Sequence, residues 1–312
     1  MALLGTVYPP EIWALESLMV LRDELLMARL VHSGFSDDVA SFGDTVQTRK
    51  PVKATARTWG GQAGTDANST IDVENPNARN LTVLLDTLVY TAILVEDRDQ
   101  TTSRHELRDE FIVPIMDPIA QRIDDDIMTE FTSGSSLDVH GNAVSLVAFD
   151  TVGLGADLND DDIITARETL NVSQCPMSPR VLVLSPQHES DLLRTPIVTQ
   201  ADQSGSVDAL RAGRVGRLFG FDTFMSQNVP TAVDTDATPI SLAFHRNAIT
   251  YVNRPLDNPQ TEGVRAAVQS LDGNSMRVVE AYDIDRKGHV LSVDVLYGTQ
   301  LLDANLAVII NP

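Results

Sequence analysis

The chain holds one cysteine, Cys175, in 312 residues. That excludes an intrachain disulfide and a cysteine-built zinc cage. Lysine is almost as scarce. Lys50, Lys53 and Lys287 are the only three, so arginine supplies most of the 23 basic residues. Against them stand 44 Asp and Glu, for a net charge of -21. A surface this acidic is a poor nonspecific binder of nucleic acid. No window approaches the roughly 18 apolar residues of a membrane span, so none is predicted. The N-terminus has no basic region followed by an apolar run, so no signal peptide is predicted.

Catalytic signatures are also missing. Val152-Gly153-Leu154-Gly155-Ala156-Asp157 resembles a dinucleotide loop, but Leu158 stands where the third glycine belongs. No phosphate-cradling G-x-x-x-x-G-K-[ST] occurs. Asp283, Asp285 and Gly288 hint at a calcium loop, yet Lys287 takes a ligand position. Ser185 precedes Pro186 without the G-x-S-x-G frame of a nucleophile elbow. His188-Glu189 reads as surface at a helix start, and His245 as a structural hydrogen-bonding residue. No catalytic, cofactor-binding or metal-binding residue is therefore assigned, and no enzyme is expected.

What remains is 43% hydrophobic, enough for a substantial core. Pro10 and Glu11 signal a helix start. The helix is predicted over 11–30, with Ile12, Leu15, Leu18, Met19, Leu26 and Leu30 as its apolar stripe. Residues 47–80 are small and polar, with Lys50, Lys53, Arg57, Gly60 and Gly61 among them. Such a stretch has little to bury by itself. It reads either as disorder or as a long hairpin completed by a neighbouring molecule. Strands at 45–48 and 81–94 flank it. Ser103 and Glu106 form a plausible capping box, and a main helix is predicted from about 114 to 132. Its Asp124-Asp125-Asp126 run is expected to face solvent.

Further strands are predicted at 144–149, 180–186, 221–225 and 241–244, in a hairpin over 272–297, and at 301–310. Helices are predicted at 160–170, capped by Asp160 to Asp162, and at 187–193. Arg211, Arg214 and Arg217 make the one basic cluster. A plain surface patch and a subunit interface both fit it. A nucleic-acid site fits less well, since no aromatic platform accompanies it.

Several short segments carry a resemblance. Gly213, Gly216, Gly220 and Phe221 follow the turn-and-strand pattern of major capsid proteins of tailed phages with the Hong Kong 97-type fold. Pro10-Glu11-Ile12-Trp13-Ala14, Gly43-Asp44-Thr45-Val46, Phe244-His245-Arg246-Asn247-Ala248-Ile249 and Arg254-Pro255-Leu256 resemble coat proteins of the Salmonella-type short-tailed phages. The order of elements resembles that family along nearly the whole chain. Residues 226–241 are too short for the large inserted domain of that group's best-known member.

The resemblance implies an α+β fold. Its parts would be an N-terminal arm at 1–42, an E-loop hairpin at 43–98 and a P-domain with a spine helix at 99–149. An A-domain at 150–271 and a returning hairpin with a final strand at 272–312 would follow. It implies a shell protein that assembles with itself in pentamers and hexamers and encloses double-stranded DNA. Portal, scaffolding and decoration proteins would be partners, and the virion its location. An encapsulin-like compartment shell is the first alternative, and an enzyme of unrecognised type the weaker second. Trp13, Lys50, Lys53, Arg57, Gly60, Gly61, Arg211, Arg214 and Arg217 are the candidate assembly residues. Amides of residues 50–80 are expected to exchange fast in free subunits and slowly in shells, and equal protection in both would refute a hairpin completed by a neighbour.

Overall fold

The computed structural model describes residues 10–34, 45–50, 79–96, 112–133, 135–137, 143–145, 147–150, 157–195, 216–229, 240–259, 264–271 and 273–311. Its architecture is α+β, built on two main sheets.

One sheet is antiparallel. It joins β3 (Thr87–Glu96), β11 (Ile249–Arg254), β12 (Val264–Leu271), β13 (Asn274–Asp283) and β14 (Gly288–Leu301). The long β14 lies in the middle, pairing with β3 on one side and with β13 and β11 on the other. Lys287, at φ 51°, closes the β13–β14 turn. Residues 249–271, expected in the A-domain, pair into this sheet with the returning hairpin.

The other sheet has the order β6 (Val147–Asp150), β15 (Ala307–Asn311), β10 (Ser241–His245), β7 (Arg180–Leu184), β9 (Phe221–Met225) and β8 (Arg217–Leu218). It is covered on both faces, which is why its central strands read as unbroken apolar runs. Val181, Val183, Leu242 and Phe244 point into the main core, while Leu182, Leu184 and Ala243 point into a second one. The second core is closed by α4 (Asp160–Val172) and α5 (Pro186–Arg194) through Ile163, Ala166, Leu170 and Leu192.

The main core forms around α3 (Val113–Ser133), which matches the predicted long helix. Ile119, Ile123, Ile127 and Phe131 are buried at helical spacing, and Phe131 meets Phe244 at 5.0 Å between ring centroids. Pro118 falls in the second turn, where its missing N–H removes a single bond from the ladder.

The N-terminal segment is two helices, α1 (Pro10–Glu24) and α2 (Met27–Leu30), instead of one. The apolar stripe is also rotated from the expected one. Ala14, Leu18, Leu21 and Leu25 are buried, while Leu15 and Met19 are exposed. Asp124 explains the break. Its carboxylate accepts the Leu26 and Met27 backbone N–H groups at 3.1 and 3.0 Å, capping α2 from the spine helix. The expected solvent-facing triplet is thus split three ways. Asp124 is buried, Asp125 is exposed, and Asp126 accepts the Tyr297 hydroxyl at 2.6 Å. After α2 the chain is stitched to β11. His32 N–H donates to the Ile249 carbonyl, and the His32 carbonyl accepts from Tyr251 N–H.

Four other expectations move. The strand predicted at 81–94 divides into β2 (Arg79–Leu84) and β3, which belong to different sheets. β2 pairs with β1 (Thr45–Lys50), and its Val83 packs with Leu85 and Val252. The strand predicted at 301–310 splits around a short 3-10 turn, Ala304–Leu306, started by Asp303. The α4 helix starts at Asp160 as predicted, but Asn159 takes the cap position in place of the aspartates, with Asp162 accepting the Asn159 N–H at 2.9 Å. The 144–149 strand becomes β5 (Ala143–Ser145), which pairs with β4 (Ser135–Leu137), and β6. The Ser103–Glu106 capping box lies outside the described residues.

Candidate assembly surfaces

Most buried polar groups among the described residues are held by structural bonds, though His188 Nε2 is buried without a partner. His188, expected at the surface, is fully buried, and its Nδ1 lies 2.7 Å from the Ser241 hydroxyl. Burial pushes its pKa down, which keeps the ring neutral. Ser241 is equally buried. His245 accepts the Asn247 N–H at 3.2 Å, a structural role. No group of three metal-ligating side chains occurs among the described residues. No described helix is long and apolar enough to cross a membrane.

The surface is more informative. Among the described residues β3 pairs only with β14, which makes it an edge strand, and it carries apolar residues on both faces. Val89 and Ile93 pack against the main core. The alternate residues Leu88, Tyr90 and Leu94 point away and are exposed, Tyr90 by 69%. No charged residue occurs between Thr87 and Val95. Beside this stripe the charge is internally balanced. Arg277 donates to Asp294 at 2.6 and 3.1 Å, and Ser292 donates to the same carboxylate at 2.7 Å. Asp294 stands opposite Tyr90 in the strand register. An apolar, uncharged face on an open strand edge is the usual mark of a protein contact. The sequence signal was present: a strand apolar at both parities needs cover on both sides.

The nine residues singled out from sequence have different fates. Trp13 is half-buried and packs onto the main core of its own subunit. Lys50 ends β1, opposite Arg79 in the register. Arg217 is exposed on β8 and pairs with Asp222 of the adjacent strand at 3.5 Å. Lys53, Arg57, Gly60, Gly61, Arg211 and Arg214 lie outside the described residues. The turn that follows Arg217 does use its glycine, since Gly220 has φ +90°. An ion pair this exposed contributes little. Arg217→Ala is therefore expected to lower subunit stability by no more than ~0.5 kcal/mol, measured by urea unfolding. A large loss of assembly in that variant would identify Arg217 as a contact between subunits.

The fold matches a structure from Mycobacterium phage Che8 with TM-score 0.67 at 20% identity, covering 92% of this chain and 91% of that one. It matches the capsid structure of Cyanophage P-SCSP1u with TM-score 0.61 at 13% identity, covering 87% and 84%. It also matches a virus-like particle from Pyrococcus furiosus with TM-score 0.53 at 9% identity, covering 96% and 97%. At these identities the likeness establishes the fold. No curated protein matches the sequence. The family model described as phage capsid protein matches residues 39–288, most of the chain. The chain belongs to the phage capsid protein family and is a structural major capsid protein.

Proposed function

We propose that copies of this chain close into the icosahedral head shell around double-stranded phage DNA, in rings of five and six. The observation that carries this is the uncharged apolar stripe of β3, left bare on a subunit with net charge -21. Repetition of modest contacts with closed symmetry makes such a shell stable. Steady catalytic turnover has no part in it.

Within this reading, residues 1–42 form the N-terminal arm and 43–98 the E-loop hairpin with its flanking strands. Residues 99–149, with α3 as spine, form the P-domain together with the long β13–β14 hairpin. Residues 150–271, with most of the six-stranded sheet, form the A-domain, and residues 272–312 the returning hairpin and a final A-domain strand. The Pro10–Ala14 and Phe244–Ile249 segments favour kinship with the Salmonella-type short-tailed group. Portal and scaffolding proteins, and decoration proteins where present, are the proposed partners, with assembly in the host cytoplasm. An encapsulin-like compartment shell is the second reading, favoured by the virus-like particle of Pyrococcus furiosus. The family match over 39–288 weighs toward the phage head.

The β3 stripe gives a direct test. Tyr90→Asp puts a charge into the proposed contact without touching the buried face of the strand. Shell yield, read by sedimentation, is expected to fall at least tenfold while the circular dichroism of the free subunit is unchanged. Parental yield from this variant would remove β3 from the assembly surface.

A further inference from the structure

Resting on the shell reading, we infer that the loop at residues 171–179 is a preformed docking knob for a second copy of this chain. It leaves the end of α4 and leads into β7. Val172 and Met177 are 76% and 71% exposed, the barest large apolar side chains among the described residues. Neither takes part in either core.

The backbone beneath them is held from below. Arg180, itself buried, donates from Nε to the Pro176 carbonyl at 2.8 Å and from Nη2 to the Cys175 carbonyl at 2.7 Å. His245, opposite Arg180 in the strand register, hydrogen-bonds the Ser178 backbone. At the other end, Ser173 and Gln174 N–H groups donate to the Thr169 and Asn171 carbonyls, and Cys175 N–H donates to Leu170. A buried guanidinium spent on two loop carbonyls fixes the loop's shape. A fixed loop has little conformational freedom to lose on docking.

Charge identifies the occupant. Residues 171–179 read N-V-S-Q-C-P-M-S-P and contain no charged side chain, in a chain with net charge -21. Two copies of so acidic a subunit repel wherever carboxylates face each other. They approach most easily where each offers an apolar, neutral surface. The knob therefore fits a copy of this chain better than a basic partner or nucleic acid, which would be drawn to the carboxylates instead.

The single native thiol makes the test clean. Cys175 is buried, and burial pushes its pKa up, so it reacts slowly with maleimide. Val172→Cys and Met177→Cys each add one accessible thiol. Labelling with a fluorescent maleimide is measured on free subunits and on assembled shells of each variant. The expected result is labelling at least tenfold slower in shells at one or both positions. In parallel, Met177→Asp is expected to raise the protein concentration needed for assembly at least fivefold while its free-subunit circular dichroism matches the parent. Normal shells with both thiols as reactive as in free subunits overturn the knob and leave the shell reading standing. A parental chain that forms no shells overturns the shell reading, and the knob with it.

Discussion

Gly298→Ala is expected to destabilise the free subunit by about 3 kcal/mol or more, an unusually large effect for one methyl group. Gly298 lies in β14, paired with Val252 of β11, at the point where the chain passes from β2 to β3 across the sheet. A Cβ added there would overlap the Leu84 carbonyl oxygen and sit 2.9 Å from its carbonyl carbon. The obstruction is backbone, so no side-chain rotation relieves it. The β2 end must lift, and the Val83, Leu85 and Val252 cluster opens with it. The loss would appear as a lowered urea midpoint at unchanged slope. Amide protection at Val83 and Leu85 should fall more than at Ile123 in α3. An alanine variant as stable as the parent would mean that the β2 crossing does not press on the sheet.

Asp124→Ala is the second large change, and its size should depend on pH. Removing the carboxylate leaves the Leu26 and Met27 N–H groups without their acceptor at a buried junction. That costs about 1–3 kcal/mol for each buried group left unsatisfied, less where water enters. Burial, the leading cause, raises the Asp124 pKa to about 6, against the pull of the backbone N–H bonds. The folded pKa lies above the ordinary value, so the folded state binds the proton more tightly. The resulting stabilisation is full below the unfolded pKa and is lost as pH rises through about 6. The parent should therefore gain stability from this group on going from pH 7.5 to pH 5, and the alanine variant should not. The difference between them should be larger at pH 5 than at pH 7.5 by about 1.4 kcal/mol. Urea titrations of both proteins at the two pH values measure it. A gap that widens toward pH 7.5 would reverse the assignment and make the ionised carboxylate the stabilising form.

Much of the architecture was legible in the sequence, and the reasons differ by element. The 3.6-residue spacing of Ile119, Ile123, Ile127 and Phe131 marks the spine helix, and the structure keeps it over Val113–Ser133. The doubly buried strand at 180–184 reads as a run of Val and Leu because both its faces need apolar residues. The hairpin around Lys287 follows from alternation on either side of a turn.

Other features depend on contacts distant in sequence. Nothing local in Leu25-Leu26-Met27 announces a break between α1 and α2. The cap arrives from Asp124, some hundred residues on. The same distance hid the burial of Asp124, since an acidic triplet on a helix is ordinarily a wet face. The division of 81–94 into β2 and β3 is set by Gly298 and Val252, which a reading of that segment alone does not include. His188 was placed at the surface from its position at a helix start, but Ser241 of β10 closes over it. Of the three arginines singled out for assembly, only Arg217 lies among the described residues. The most exposed apolar groups there, Tyr90 on β3 and Val172 and Met177 before β7, carry no charge to mark them in the sequence.

The central claim is that this chain assembles with itself into a closed shell. Electron microscopy of the purified protein, incubated across a range of concentration and salt, tests it most directly. Closed particles of uniform diameter, with rings of five and six subunits on their surface, are the expected result. A chain that stays monomeric at 34.0 kDa under every condition, with a scaffolding protein supplied as well, would contradict it.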